Sequence, residues 1–390
     1  MSDLKKIDFM FELAFNKSLP DFYDQVQYKS DYEVLLNSAS SEVPSLNDNI
    51  YMVYDVPSFL NVRTKTIYSN TGFKSVIQHK GYQINLDNYN DLEAYLKDRF
   101  GKSSLQLLRA GKKRLETCFD ITYKMYYGNI DKDQYHHFFK KFYKMLELRA
   151  SEKGIHNRNL PFWDLYTAKV YDMICSKEAS LFVIYDGNQA INISLNMHVK
   201  NTVFLFISAY DVAYSKFRLG HTNWMMQLDW FLKNGIKRVD FSKGNVAYKK
   251  RWTNTEYDFN YHLFYNSSNM VLKLKALWIA RRLQLLQTLR NKNINTYYYS
   301  LLDWFKTRNK SAKHPNYQLE DIDNLPNNNL LEPVLFREIE SELPLKRIIY
   351  TALYLSFTHV KDLKVYRNLK KPHIYYLQSK MKVQKLILGK

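Results

Sequence analysis

Residues 204–252 read FLFISAYDVAYSKFRLGHTNWMMQLDWFLKNGIKRVDFSKGNVAYKKRW. An apolar, β-rich run from Val203 to Ile207 leads into a polar loop carrying Arg218, Gly220, His221 and Thr222. The spacing then predicts an amphipathic helix over 222–234 and a short strand over 236–242 that holds Asp240. Strand, basic glycine loop, helix, strand is a layout suited to phosphate. The open N–H groups and positive dipole end of the helix face the loop, and glycine lets an anion approach the main chain. The plain alternative is an ordinary turn with Thr222 as N-cap.

Upstream, Ser180–Tyr185 and Gln189–Val199 are β-runs joined by Asp186-Gly187, a strong hairpin signal, so with Val203–Ser208 they form a three-strand meander. Helices are expected over Trp163–Cys175 and Lys132–Lys153, the latter with Phe138, Phe139, Phe142, Met145 and Leu146 on one face. Phe119–Tyr127 reads as a strand and Ser104–Leu115 as a helix. A helix beginning near Asn88 carries Leu92, Tyr95, Leu96 and Phe100, with Gly101 as its C-cap. Lys74–Leu86 reads as a hairpin turning at Lys80-Gly81, and Asn49–Val62 as strand broken by Pro57. Downstream, Asp258–Tyr265 is a last strand, and Leu272–Leu289 is a basic amphipathic helix.

The 390 residues are enough for two domains, and a hydrophobic content of 46% supports a sizeable core. A net charge of +19 favours anionic partners: nucleic acid, anionic lipid, or phosphorylated ligands such as coenzyme A. The same lysine excess, with abundant Asn, Tyr, Ile and Phe, would follow from an AT-rich coding sequence. Cys118 and Cys175 are too few for a metal framework or a disulfide scaffold, and both read as buried small hydrophobes in a reducing compartment. The first twenty residues hold Asp8 and Glu12 within their apolar part and do not read as a secretory signal. No window approaches a membrane span, so the expected address is cytoplasmic.

The order of these elements, with SAYD, RLGHTN and NGIKRVDFSKGNVAYKKRW, resembles the GNAT acyltransferase fold. It looks most like the GNAT-type acyltransferases of bacterial polysaccharide and cellulose biosynthesis, which are related to the FemXAB peptidoglycan transferases. The resemblance covers roughly residues 90–265 and rests on order and spacing: an aromatic-Asp at a strand end, the loop glycine, Gly235, Asp240, Gly244 and Tyr248-Lys249. It implies an α/β protein with a GNAT-like mixed sheet flanked by helices. The expected domains are an N-terminal, degenerate GNAT-like lobe at 1–114, the acyltransferase domain at 115–265, and a basic helical extension at 266–390 with a polar linker near 314–345. The implied reaction is N-acyl transfer, acetyl above all, from an acyl-CoA co-substrate to an amine on an amino sugar or glycan precursor, without metal. One departure stands out. The common loop has a second small residue where this chain has His221, which points instead to an aminoacyl-tRNA donor of the FemXAB kind. A non-catalytic scaffold at a membrane is the alternative from another class.

By this resemblance Arg218, Gly220, Thr222, Asn223 and Lys249 are the donor-binding candidates. Tyr248 would protonate the leaving thiolate, and His221 or Asp211 would take a proton from the incoming amine. Each has a structural reading too: Tyr248 as a packed ring, Asp211 as a turn or cap residue, and Asp240 as a bond to the Lys243-Gly244 turn. The cations after Val360 suggest peripheral attachment to an anionic membrane or to RNA.

Overall fold

In chain order the computed structural model has β1 (Leu4–Asp8), β2 (Tyr23–Tyr28), β3 (Val34–Asn37), β4 (Ile50–Pro57), β5 (Leu60–Thr64) and β6 (Thr71–Asn85). Next come α1 (Leu92–Arg99), α2 (Lys102–Cys118), β7 (Ile121–Tyr126), α3 (Lys132–Lys153), α4 (Trp163–Cys175), β8 (Ala179–Asp186), β9 (Gln189–Val199) and β10 (Thr202–Tyr210). They are followed by α5 (Leu219–Lys233), β11 (Arg238–Lys243), α6 (Ala247–Trp252), β12 (Thr255–Asn266) and α7 (Met270–Asn291). The last part holds β13 (Tyr317–Ile322), β14 (Leu331–Pro333), α8 (Phe336–Ser341), α9 (Leu343–Ser356), β15 (Lys364–Asn368), β16 (Ile374–Gln378) and β17 (Val383–Leu388). The structure describes residues 4–39, 46, 48–65, 70–244, 246–292, 317–380 and 382–389.

These elements form two compact units, each assembled from three stretches of chain: 1–91, 196–206 and 231–309 in the first, 92–195, 207–230 and 310–390 in the second. The expected fold class is present, a mixed α/β, GNAT-like architecture with mixed sheet flanked by helices.

In the first unit the strand order is β1-β4-β12-β6-β11. β1 runs parallel to β4, β12 is antiparallel to both β4 and β6, and β11 is antiparallel to β6. Helix α7 packs on this sheet through Leu272, Ala276 and Ile279 against Ile50, Val76 and Leu263. A separate small sheet has the order β3-β2-β5. In the second unit β7, β8 and β9 lie side by side, and a five-stranded sheet has the order β13-β17-β16-β15-β14. Leu115, Phe119, Phe182, Phe217, Ile349 and Leu353 belong to one core there.

Helices α3 and α4 have the expected bounds, and the end signals of α3 are clear. Asp131 accepts a hydrogen bond from Gln134 N at 2.9 Å, and Gly154 closes α3 at φ 60°.

The region 74–86 is a correction. It is one continuous strand and not a hairpin. Gly81 sits directly opposite Tyr257 on β12, and a Cβ added to Gly81 would lie 2.2 Å from the Tyr257 ring. The glycine thus marks a backbone over which an aromatic ring lies flat. Gly72 plays the same part under Tyr265. Gly81→Ala is expected to cost about 2–3 kcal/mol by forcing the ring aside, measured as a shift in the urea midpoint at unchanged slope.

Four further expectations are corrected. Gly101 is the N-cap of α2. Cys118 is buried, but Cys175, at the end of α4, is exposed. Among the described residues beyond 266, α-helix occurs at α7, α8 and α9. Residues 317–345, expected as a polar linker, contain β13, β14 and α8, and strands β15–β17 follow. The sheet they form has one face on the core: β17 buries alternate positions, Gln384 and Leu386, and Val365, Tyr375 and Leu377 belong to the same core. The Tyr- and Lys-rich continuation at 293–313 lies outside the described residues. Among those described, no helix is long and apolar enough to cross a membrane.

Candidate active site

Helix α5 begins at Leu219, earlier than its apolar periodicity suggests. A short 3-10 turn, Val212–Phe217, runs directly into it through Arg218, whose φ of 55° is left-handed. Asp211 caps that turn by accepting from Ala213 N at 2.9 Å, and it pairs with Lys346 Nζ at 2.7 Å. Its carboxylate is therefore occupied by a cap and an ion pair, the structural reading of this residue.

The amides of His221 and Thr222 both reach Arg218 O, which leaves Gly220 at the open end of the helix, while Leu219 is buried. Gly220 is informative here. Its φ is not positive, and a Cβ added there would meet nothing within 4 Å. Neither backbone conformation nor packing within the chain requires a glycine, so the bare Cα faces open space beside exposed Arg218. Helix α2 approaches this turn through Gly111, where an added Cβ would lie 3.6 Å from Arg218.

Thr222 and Asn223 are corrections. Because the helix starts early, both fall within it and are buried, with 1% exposure each, so neither presents a surface to a phosphate. Asn223 Oδ1 instead accepts from Gln227 Nε2 at 3.0 Å and lies 3.1 Å from Ser194 Oγ. Ser194 is also 2.8 Å from Ser208 Oγ. This buried polar network fixes how α5 sits on β9 and β10. Its signal was available in Asn192 and Ser194, polar residues two apart in an apolar strand, and the hairpin reading passed over it.

In the first unit, β10 and β11 pair in parallel from Thr202↔Arg238 to Phe204↔Asp240. The register ends there, although β10 continues to Tyr210 and β11 to Lys243. The main-chain groups of the facing edges beyond Phe204 and Asp240 are released from that ladder. The cause is local. On its other side β11 shifts register against β6 between Asp240 and Lys243, and Ser242 takes a φ of 59°.

Three side chains hold this bulge. Asp240 accepts from Ser242 N at 2.6 Å and from the Tyr257 hydroxyl. Lys249 Nζ donates to Phe241 O and Lys243 O, both at 2.6 Å. Lys243 forms an ion pair with Asp55, which Gln78 holds through its side chain and its backbone N–H. Burial pushes Asp240 up to about 6, opposed by its bonds from Tyr257 and Ser242 N and by the Lys249 charge. Burial pulls Lys249 down to about 8, opposed by Asp240. Lys249, a phosphate candidate by sequence, is thus a half-buried staple across two carbonyls, and Asp240 bonds to Ser242 and not to the Lys243-Gly244 turn. Tyr248, beside it on α6, is 38% exposed. His221 is half-buried.

Residues 104–250 match the family model of the acetyltransferase (GNAT) domain. The match begins within α2, ahead of the expected boundary at 115, and supports an acyltransferase enzyme. No curated protein matches the chain. Among solved structures it is similar to FemX, at 13% identity over 48% of this chain and 65% of that one, with a TM-score of 0.36. It is also similar to the C-terminal domain of a putative lysylphosphatidylglycerol synthetase from Agrobacterium fabrum, at 10% identity, 60% and 72% coverage and a TM-score of 0.38. A conserved protein of unknown function from Bacteroides thetaiotaomicron matches at 9% identity, 56% and 70% coverage and a TM-score of 0.37.

Proposed function

We propose that this chain is an N-acyltransferase that moves an acyl group, acetyl in the first instance, from acyl-CoA to an amine on an amino sugar or glycan precursor. The observation that carries this reading is the release of the β10–β11 ladder after Phe204 and Asp240, inside the stretch that matches the acetyltransferase family. A strand edge that parts in this way suits a thioester carbonyl, whose oxygen gains negative charge as the amine adds. Arg218 and the helix-end amide at Gly220 suit the donor's pyrophosphate.

In this mechanism the amine nitrogen attacks the thioester carbon, and the C–S bond breaks as the amide forms. His221 takes the proton the amine loses, and Tyr248 returns a proton to the thiolate. Asp211 holds structure and not the reaction, and Lys249 holds the bulge. The protein would act in the cytoplasm, in the synthesis of a polysaccharide.

His221 in place of a small residue, together with the net charge of +19, favours one second reading, an aminoacyl-tRNA donor. The two separate in one assay. Thiol release from acetyl-CoA that depends on an added amino sugar supports the first. No thiol release, with amino-acid transfer from charged tRNA, overturns it in favour of the second.

A further inference from the structure

The cations that follow Val360 are largely answered within the second unit. Lys361 pairs with Asp120, Arg367 with Glu332, Lys380 with Asp362, Lys382 with Asp321 and Lys385 with Glu320. Such exposed pairs add about 1 kcal/mol or less each to stability, but each sets an acid beside a cation and weakens the outward field. Helix α7 is different. Its sequence, MVLKLKALWIARRLQLLQTLRN, contains no acidic residue.

One face of α7 is accounted for by the sheet beneath, through Leu272, Ala276, Ile279 and Ala280. The opposite face is also apolar. Val271 is 72% exposed, Leu274 60%, Trp278 61% and Leu285 59%, and Met270 lies beside them. At helical spacing these five fall within an arc of about 100°, pointing away from the buried side chains. Arg281 lies within that arc and Arg282 flanks it, with the Arg282 guanidinium 5.6 Å from the Trp278 ring.

We infer that α7 is an interfacial helix that lays this face on an anionic lipid surface. An apolar strip with a tryptophan, edged by cations and free of carboxylates, matches the boundary between acyl chains and negative headgroups. The apolar side chains enter the boundary while the guanidinium and ammonium groups stay at headgroup level. A strip of this composition is a poor surface for a neutral partner, which would offer Arg281 and Arg282 no counter-charge. The inference does not depend on the acyl-transfer reading, because membrane binding is measured without turnover.

The test is co-sedimentation of the full chain with phosphatidylcholine vesicles, with and without phosphatidylglycerol. Binding is expected only when phosphatidylglycerol is present, and it should weaken as salt is added. The L274S/W278S double variant should bind such vesicles at least about tenfold more weakly with unchanged thermal unfolding, since both side chains are exposed. R281E/R282E should remove the preference for anionic lipid. Failure to bind anionic vesicles at low salt would overturn the proposal. So would equal binding by L274S/W278S, or a concentration-dependent dimer that this variant abolishes without vesicle binding by the parent.

Discussion

Lys346→Met is expected to destabilise the second unit by about 3–5 kcal/mol, because it strips the partner from a largely buried charge. Lys346 is 7% exposed, and its ammonium lies 2.7 Å from Asp211 Oδ2 and within 6 Å of the ring centres of Tyr214 and Tyr350. Those rings belong to the same core as Phe119 and Phe217, and the Tyr214 hydroxyl donates to Asp186 at 2.8 Å. Methionine fills the space but leaves the Asp211 carboxylate without its cation. Urea denaturation monitored by far-UV circular dichroism reads the loss. The double variant K346M/D211N should recover much of it, since removing both charges also removes their desolvation cost. Asp211→Asn should lower the acyl-transfer rate of folded enzyme by less than about tenfold, whereas loss of a general base costs about 10²–10⁴.

Lys249→Met has the second large effect. It leaves Phe241 O and Lys243 O without their donor at the end of β11, where each unsatisfied group costs about 1–3 kcal/mol. Relief of the buried ammonium offsets part of this, so the expected loss is about 2–4 kcal/mol. The rate should fall further than stability implies, by about 10²-fold, because a shift of the bulge misplaces the released main-chain groups.

The pH dependence separates this role from simple packing. Folded Lys249 gives up its proton near pH 8, whereas the unfolded chain keeps it up to the ordinary value of 10.5. Between those values the unfolded state binds more protons, so this residue's contribution to stability rises with pH. Asp240 acts in the opposite direction at lower pH. Its folded value of about 6 lies above the ordinary 3.8, so stability is lost as pH rises through that window. The stability gap between wild type and K249M should therefore widen from pH 7 to pH 10. A gap that stays constant would contradict the assignment.

The sequence made the regular parts of this fold legible where end signals and periodicity agreed. Asp131 and Gly154 bracket α3, and Asp186-Gly187 turns the β8–β9 hairpin with Gly187 at φ 53°. It misled where a residue took a conformation its type disfavours. Arg218 in the left-handed region lets α5 start at Leu219, which carries Thr222 and Asn223 inward. Gly81 carries two possible meanings, a turn or a surface for a ring, and only the pairing with Tyr257 separates them. The cluster around the bulge was legible least of all. Asp240, Tyr257, Lys249, Asp55 and Gln78 come from five elements, and nothing local to any of them announces that they meet.

The most direct test of the central claim is isothermal titration of the full-length protein with acetyl-CoA and free CoA, alongside Arg218→Ala. Micromolar binding of both ligands is expected, with binding at least about tenfold weaker in the variant for the loss of a charge-assisted phosphate contact. Absence of binding to either ligand by the wild-type protein, or undiminished binding by Arg218→Ala, would contradict it.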